Sequence, residues 1–265
     1  MFTDRYFEHN TTRLHYVEGP QNGPPLVLLH GLSDCWQAFL QLVPFLYPYY
    51  TVYAPDLRGH GLSSAAGAYR ITDYAADIRA FLDHLGEEPV SLIGHSLGAA
   101  VALLLAAESP VNCKSITLID PFVFADIVHD DDFRSYFIGC LEVLKDGRDP
   151  AVLSHSLKEQ GALARKRALD LSRLDKKTIT AVLDKQVFEG FNLEELMPDV
   201  DCPVLLLRGN PEREGHISAE KAAILQTGLR DCSVEYLETA SHVVHLDEPI
   251  KTAQFILFFL ASLRE

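Results

Sequence analysis

The stretch that decides the fold is Val90-Ser91-Leu92-Ile93-Gly94-His95-Ser96-Leu97-Gly98-Ala99. Residues 90–93 form a short apolar, β-rich run, and the alanine- and leucine-rich residues 99–107 read as a helix. A G-x-S-x-G pentapeptide is common by itself, but between a strand and a helix it describes a sharp turn with serine at its apex. The strained backbone of such a turn leaves no room for side chains two positions before or after the serine, which accounts for Gly94 and Gly98. The Ser96 hydroxyl is then presented above the sheet near the positive end of the following helix, where developing negative charge is stabilised. The plain alternative is a turn whose serine merely caps the helix.

Outward from this turn, short apolar runs at 26–29, 50–54, 115–119, 204–207 and 234–237 alternate with longer helical patterns. That alternation predicts an α/β fold with a mostly parallel sheet covered on both faces. Alternating runs at 5–8 and 13–17, joined across His9-Asn10-Thr11, predict an amino-terminal hairpin at an antiparallel edge. Between Pro121 and Asp201 the strand signal gives way to charged, helical text, closed by Pro198 and Pro203. The expected organisation is a core of residues 1–120 and 201–265 with a helical insertion at 121–200. The clusters Asp130-Asp131-Asp132 and Arg165-Lys166-Arg167 read as wet faces of amphipathic helices and receive no binding role.

With 265 residues, 48% apolar and 23% charged, the chain can enclose a sizeable core. A formal charge of −14 disfavours phosphate backbones and anionic lipid surfaces, so neither nucleic acid nor membrane is an expected partner. Residues 1–10 do not read as a secretory signal, and the apolar stretch 255–263 is about half of a bilayer crossing. The five cysteines, Cys35, Cys113, Cys140, Cys202 and Cys232, are scattered, odd in number and free of any C-x-x-C pair. They suggest neither a disulfide framework nor a zinc site, read as small buried filler, and fit a reducing, cytoplasmic setting.

A serine hydroxyl needs a base within hydrogen-bond reach, most often histidine. Of eleven histidines, His242 stands out, because Thr239-Ala240-Ser241-His242 follows the last strand run and precedes Asp247-Glu248-Pro249, which opens a terminal helix. That is a loop at the end of the sheet where the serine turn should also lie. His245 is the competing choice. Val27-Leu28-Leu29-His30-Gly31-Leu32 is a second strand entering a glycine turn. It would offer the Leu32 backbone N–H to pair with that of Leu97 as an oxyanion hole.

The order His30-Gly31, Asp56-Leu57-Arg58-Gly59-His60-Gly61-Leu62-Ser63, the pentapeptide Gly94 to Gly98, then His242 near Pro249 resembles the α/β-hydrolase fold superfamily along the whole chain. The resemblance implies an eight-stranded sheet, a Ser–His–acid triad, no cofactor or metal, and a lid in the insertion. It assigns Asp56 to a structural turn. The sequence departs from the family at the acid. The loop after 204–207 reads Arg208-Gly209-Asn210-Pro211-Glu212-Arg213-Glu214-Gly215-His216, without aspartate. Asp120, in Leu118-Ile119-Asp120-Pro121, is the leading candidate, with Glu212 as the alternative and Glu214 behind it.

Serine as nucleophile argues against the branches of the superfamily that use a carboxylate there, the dehalogenases and epoxide hydrolases. The expected reaction is hydrolysis of a small to medium ester through an acyl-enzyme. A lactone, a thioester or a carbon–carbon bond beside a carbonyl would use the same apparatus. Trp36 and the aromatic residues of the insertion, Phe122 and Phe137 first and then Phe124, Phe133 and Tyr136, are candidates for an apolar small-molecule pocket. The rival from another class is a ligand receptor or pseudo-enzyme on the same scaffold.

Overall fold

The central strands are apolar at nearly every position, and because side chains alternate about a strand, successive residues bury against the two faces of one sheet. The computed structural model describes residues 1–86, 88–108, 113–157 and 161–263. Among them the sheet has eight strands: β1 (Thr3–His9), β2 (Thr12–Glu18), β3 (Pro25–Leu29), β4 (Thr51–Pro55), β5 (Val90–His95), β6 (Cys113–Ile119), β7 (Val204–Arg208) and β8 (Cys232–Tyr236). Their order is β1-β2-β4-β3-β5-β6-β7-β8. β2 pairs antiparallel with β1 and with β4, and the remaining pairings are parallel. The hairpin turns at Asn10, whose φ of 52° suits asparagine.

The described helices longer than one turn are α1 (Ile71–Leu85), α2 (Leu97–Ala107), α3 (Asp131–Val143), α4 (Pro150–Ser156), α5 (Gly161–Ser172), α6 (Lys176–Leu183), α7 (Ala219–Gly228) and α8 (Pro249–Ser262). Val27, Leu29, Leu92, Ile116, Leu118, Val204 and Leu206 join one apolar cluster with α1, α2 and α7. The alternate residues Leu26, Leu28, Ile93, Ile119, Leu205 and Leu207 join another with α8. α2 is buried almost all round, as its uniformly apolar text requires. No helix among the described residues is long and apolar enough to cross a membrane.

Helices α3 to α6 lie between β6 and β7 and form a cluster of their own around Phe137, Leu153, Leu171 and Ile179. Residues Leu193, Met197 and Val200, at the end of the expected insertion, instead join the cluster of α1 and α2. The charge clusters differ from the expectation in part. Asp131 and Asp132 are exposed, and Asp130 caps α3 by accepting from the Phe133 N–H at 2.8 Å. Lys166 and Arg167, however, are half-buried and face the core. Lys166 Nζ meets Asp170 at 2.7 Å and Asp34 at 3.2 Å, and the Arg167 guanidinium donates to the Ser33 carbonyl at 3.2 Å and hydroxyl at 3.0 Å. A helix face that docks on a turn is not wet, and charge alone does not reveal docking.

Two side chains brace the turns that leave β3 and β4. His30 uses both ring nitrogens: Nε2 accepts the Leu57 N–H at 2.9 Å and Nδ1 donates to the Gly31 carbonyl at 2.8 Å. Asp56, 1% exposed, accepts the N–H groups of Trp36 at 2.8 Å and Leu62 at 2.9 Å, and its Oδ2 lies 2.8 Å from His15 Nδ1. Burial alone would raise the Asp56 pKa, but the His15 hydrogen bond and its other partners outweigh burial and hold it below the ordinary 3.8. Its stabilising effect is therefore present above that ordinary value and lost as pH falls through the lowered one. Asp56→Ala removes the acceptor of the buried His15 ring and of two part-buried N–H groups, and we expect a loss of about 3 kcal/mol in urea unfolding at neutral pH.

Candidate functional site

Ser96 sits between β5 and α2 with φ 50° and ψ −113°, a backbone conformation that serine rarely adopts. The distortion is held by hydrogen bonds on both sides. The Ser96 N–H donates to the Ile119 carbonyl at 3.0 Å, and its own carbonyl accepts from Phe122 N at 3.1 Å. Gly98 is required by close approach, since a Cβ there would stand 2.0 Å from the Leu29 carbonyl oxygen. Gly31 performs the same service from the other strand: a Cβ there would lie 2.8 Å from His95 Nδ1 and 3.3 Å from Ser96 Cβ. The turn after β3 is thus pressed against the serine. Leu97 opens α2, so its N–H has no acceptor within the helix. Leu32, on the adjoining turn, is half-buried against two apolar clusters.

Asp120 follows β6 and is fully buried, with φ 41°. It does not cap a helix. Its Oδ1 accepts the Gly209 N–H at 3.2 Å, and its Oδ2 accepts the His216 N–H at 2.7 Å. Oδ2 also lies 2.7 Å from His242 Nδ1. Two backbone donors on the carboxylate suit its acceptor-only form, and an acceptor at 2.7 Å favours a proton on His242 Nδ1. Burial is the largest influence and holds the Asp120 pKa above the ordinary 3.8, opposed by the His216 ring and by the N–H groups of His216 and Gly209. Glu212 and Glu214 are exposed at the other side of the same loop, Glu212 on the short helical turn Pro211–Arg213. Among the described residues, the carboxylate bonded to His242 is that of Asp120.

His242 lies in the loop after β8, which Asp247 fixes by accepting from the Ser241 N–H at 2.7 Å and hydroxyl at 2.6 Å. The His242 carbonyl accepts from His95 Nε2 at 3.1 Å, and the two rings are 4.7 Å apart. Since His95 precedes Ser96, this contact brings the β8 loop to the serine turn. Burial, then repulsion from His95, lowers the His242 pKa well below 6.5 and keeps the ring neutral. His245 is buried with both ring nitrogens unpartnered, against His95 and Phe39. It packs as core.

His216 is the site residue that sequence reasoning passed over. Its ring stacks on that of His242, with centroids 3.6 Å apart and planes 24° from parallel. Burial and the neighbouring His242 lower its pKa to about 3. The available signal was its place in the loop where the family acid commonly falls, but a single histidine there carries no spacing pattern. Asp120, His216 and His242 also offer donor atoms within 4.8 Å of one another, as a metal centre would. Two near-parallel imidazoles at this spacing do not aim their lone pairs at one point about 2.0 Å from each, and the Asp120 oxygens are already taken.

Of the expected pocket residues, Phe122 and Phe137 both meet Phe133, at 5.7 and 4.8 Å. Phe133 in turn lies 5.9 Å from His216. These rings lead from the insertion to the histidine stack, beside a shallow surface depression lined by Phe124, Ile127 and His216 among others. Trp36 is elsewhere: it starts the helical turn Trp36–Phe39 and packs on the α8 face of the sheet.

Residues 24–198 match the family model described as alpha/beta hydrolase fold, and the chain belongs to that family. It is 27% identical over 268 residues to monoacylglycerol lipase abhd6-B of Xenopus laevis, covering 92% of this chain and 77% of the lipase. To epoxide hydrolase 4 of Mus musculus it is 27% identical over 266 residues, covering 89% and 73%. The crystal structure of carboxylesterase CesB from Bacillus subtilis superposes with a TM-score of 0.80 at 20% identity, over 99% of this chain and 92% of the esterase. The likeness in fold thus extends over the insertion as well as the sheet.

Because the Leu29 carbonyl cannot retreat without breaking β3, Gly98→Ala is expected to cost at least about 3 kcal/mol, measured by thermal or urea unfolding.

Proposed function

We propose that this chain is a serine hydrolase that cleaves a small to medium carboxylic ester, with Ser96 as nucleophile, His242 as base and Asp120 as the acid that orients it. The observation that carries the reading is the 2.7 Å bond from the buried Asp120 carboxylate to His242 Nδ1, formed beside a serine held at φ 50°. With the proton fixed on Nδ1, Nε2 keeps its lone pair for the Ser96 hydroxyl. Ser96 Oγ attacks the ester carbonyl as His242 takes its proton, and the N–H groups of Leu32 and Leu97 receive the oxyanion. Collapse expels the alcohol, which takes the proton from His242. Water, deprotonated by the same ring, then releases the acid and restores Ser96. None of these steps requires a cofactor or metal.

Helices α3 to α6 of the 121–200 segment act as a lid over this site. Support comes from their own apolar cluster, from the docking of Lys166 and Arg167 on the Ser33-Asp34 turn, and from the aromatic path that reaches His216. Those aromatic rings favour an apolar acyl or alcohol part. The relatives named as lipase and esterase agree with this reading. The epoxide hydrolase name does not transfer, because epoxide opening in the branch that the sequence resembles uses a carboxylate where this chain has Ser96. Thiols free of disulfide bonds fit a cytoplasmic setting.

A fluorophosphonate probe is expected to label the folded protein and to leave Ser96→Ala unlabelled; a folded wild type that never labels favours a ligand receptor instead. With p-nitrophenyl esters, Asp120→Asn should lose about 10³- to 10⁴-fold in kcat, whereas Glu212→Gln should stay within about twofold of wild type. Equal, mild effects in both would remove the assignment of the acid. Because the base must be neutral and its pKa lies well below 6.5, the acid limb of kcat/KM is expected below pH 6.5. His216 is a positioning residue in this scheme. His216→Ala should lower kcat about tenfold or more with KM nearly unchanged, while His216→Phe, which keeps a flat ring, should recover most of the loss.

A further inference from the structure

Two thiols that the proposed chemistry does not use meet at the opposite end of the sheet from Ser96. Cys113 opens β6, and Cys202 stands just before β7. Counting back from the Ile116–Val204 pair, an unbroken ladder would set Cys202 beside Lys114. β6 is not unbroken there: Val90 pairs with Cys113 but Ser91 with Ser115, so one residue is bulged out of register. Cys113 sits at this irregularity, and its sulfur lies 4.0 Å from that of Cys202. Neighbouring strands run roughly 4.8 Å apart, inside the Cα separation that a disulfide tolerates.

Both thiols are half-buried, unlike Cys35 and Cys140, which are enclosed. They share one hydrogen bond. That contact lowers the Cys202 pKa below the ordinary thiol value and raises that of Cys113. Cys232, on β8, is pushed up to about 12 by burial. The pair therefore has the makings of an attacking thiolate and a resolving thiol, reachable by a small oxidant.

We propose that Cys113 and Cys202 form a dithiol that hydrogen peroxide oxidises to a disulfide, clamping β6 to β7 at the base of the helical insertion. The Cys202 thiolate attacks the peroxide, whose O–O bond breaks to leave a sulfenic acid on Cys202 and, after protonation, water. The Cys113 sulfur then attacks the Cys202 sulfur, forming the S–S bond and expelling the hydroxyl as a second water. Two thiols are oxidised and one peroxide is reduced. The bond closes a loop that contains Asp120 and helices α3 to α6, so it restricts the unfolded chain while leaving the site at the carboxyl ends of the strands untouched. Any thiol reductant of the surrounding medium reverses it.

The test uses the full-length protein, treated with hydrogen peroxide and mapped by non-reducing peptide mass spectrometry. Expected is a Cys113–Cys202 crosslink that dithiothreitol removes, that neither Cys113→Ser nor Cys202→Ser forms, and that raises Tm by roughly 5 to 15 °C. In the reduced wild type, iodoacetamide should modify Cys202 before any other thiol, a readout that stands even if a serine variant fails to fold. The proposal is overturned if Cys202 is driven to sulfinic or sulfonic acid without crosslinking, if it pairs with Cys232, or if another cysteine is alkylated first. None of these readouts depends on esterase activity.

Discussion

One buried carboxylate ties together the ends of three strands. Asp120 leaves β6, accepts backbone N–H groups from the loop after β7, and holds the imidazole delivered by the loop after β8. An ionised group this deep is tolerated only where donors replace its lost water. The same bonds that satisfy Asp120 therefore fix the path of the Gly209 to His216 loop and the tautomer of His242. Chemistry and loop architecture share a single set of contacts.

The rest of the molecule brings that carboxylate and the serine turn to one place. Alternating side chains on β3, β5, β6 and β7 bury both sheet faces, which fixes strand register and hence the height of every loop at the carboxyl ends. Gly31 and Gly98 let the turn after β3 and the serine turn approach within the distance of a single methyl group, and Ser96 is locked to β6 by its bonds to Ile119 and Phe122. His30 and Asp56 brace the neighbouring turns from below. His95 and His216 flank His242, one through a hydrogen bond to its carbonyl and one through ring stacking, so the ring has little freedom to turn away.

Much of this was legible in the residues because it follows from local patterns. Short apolar runs, with two alternating runs at the amino terminus, located all eight strands to within a few residues, and the glycines around Ser96 reported the steric demand of the turn directly. The carboxylate that meets His242 was not legible in the same way. Asp120 and Glu212 both satisfy the required chain order, and only the path of two loops in space separates a carboxylate at 2.7 Å from one in solvent. The same limit hid His216, the inward-facing Lys166 and Arg167, and the meeting of Cys113 with Cys202 across a bulge. Each depends on residues far apart in the chain, and no spacing rule connects them. Trp36 shows the converse. Proximity in sequence to the glycine turn suggested the pocket, but a helical turn directs the ring to the other face of the sheet.

The central claim is that Asp120 fixes the proton of His242 on Nδ1 and leaves Nε2 free to accept. Nuclear magnetic resonance of ¹⁵N-labelled histidine reads this directly. The account predicts a strongly downfield Nδ1–H proton for His242 at neutral pH, a Nε2 shift typical of an unprotonated nitrogen, and loss of the downfield signal in Asp120→Asn. A His242 ring protonated on Nε2, or a downfield proton that survives that substitution, would contradict it.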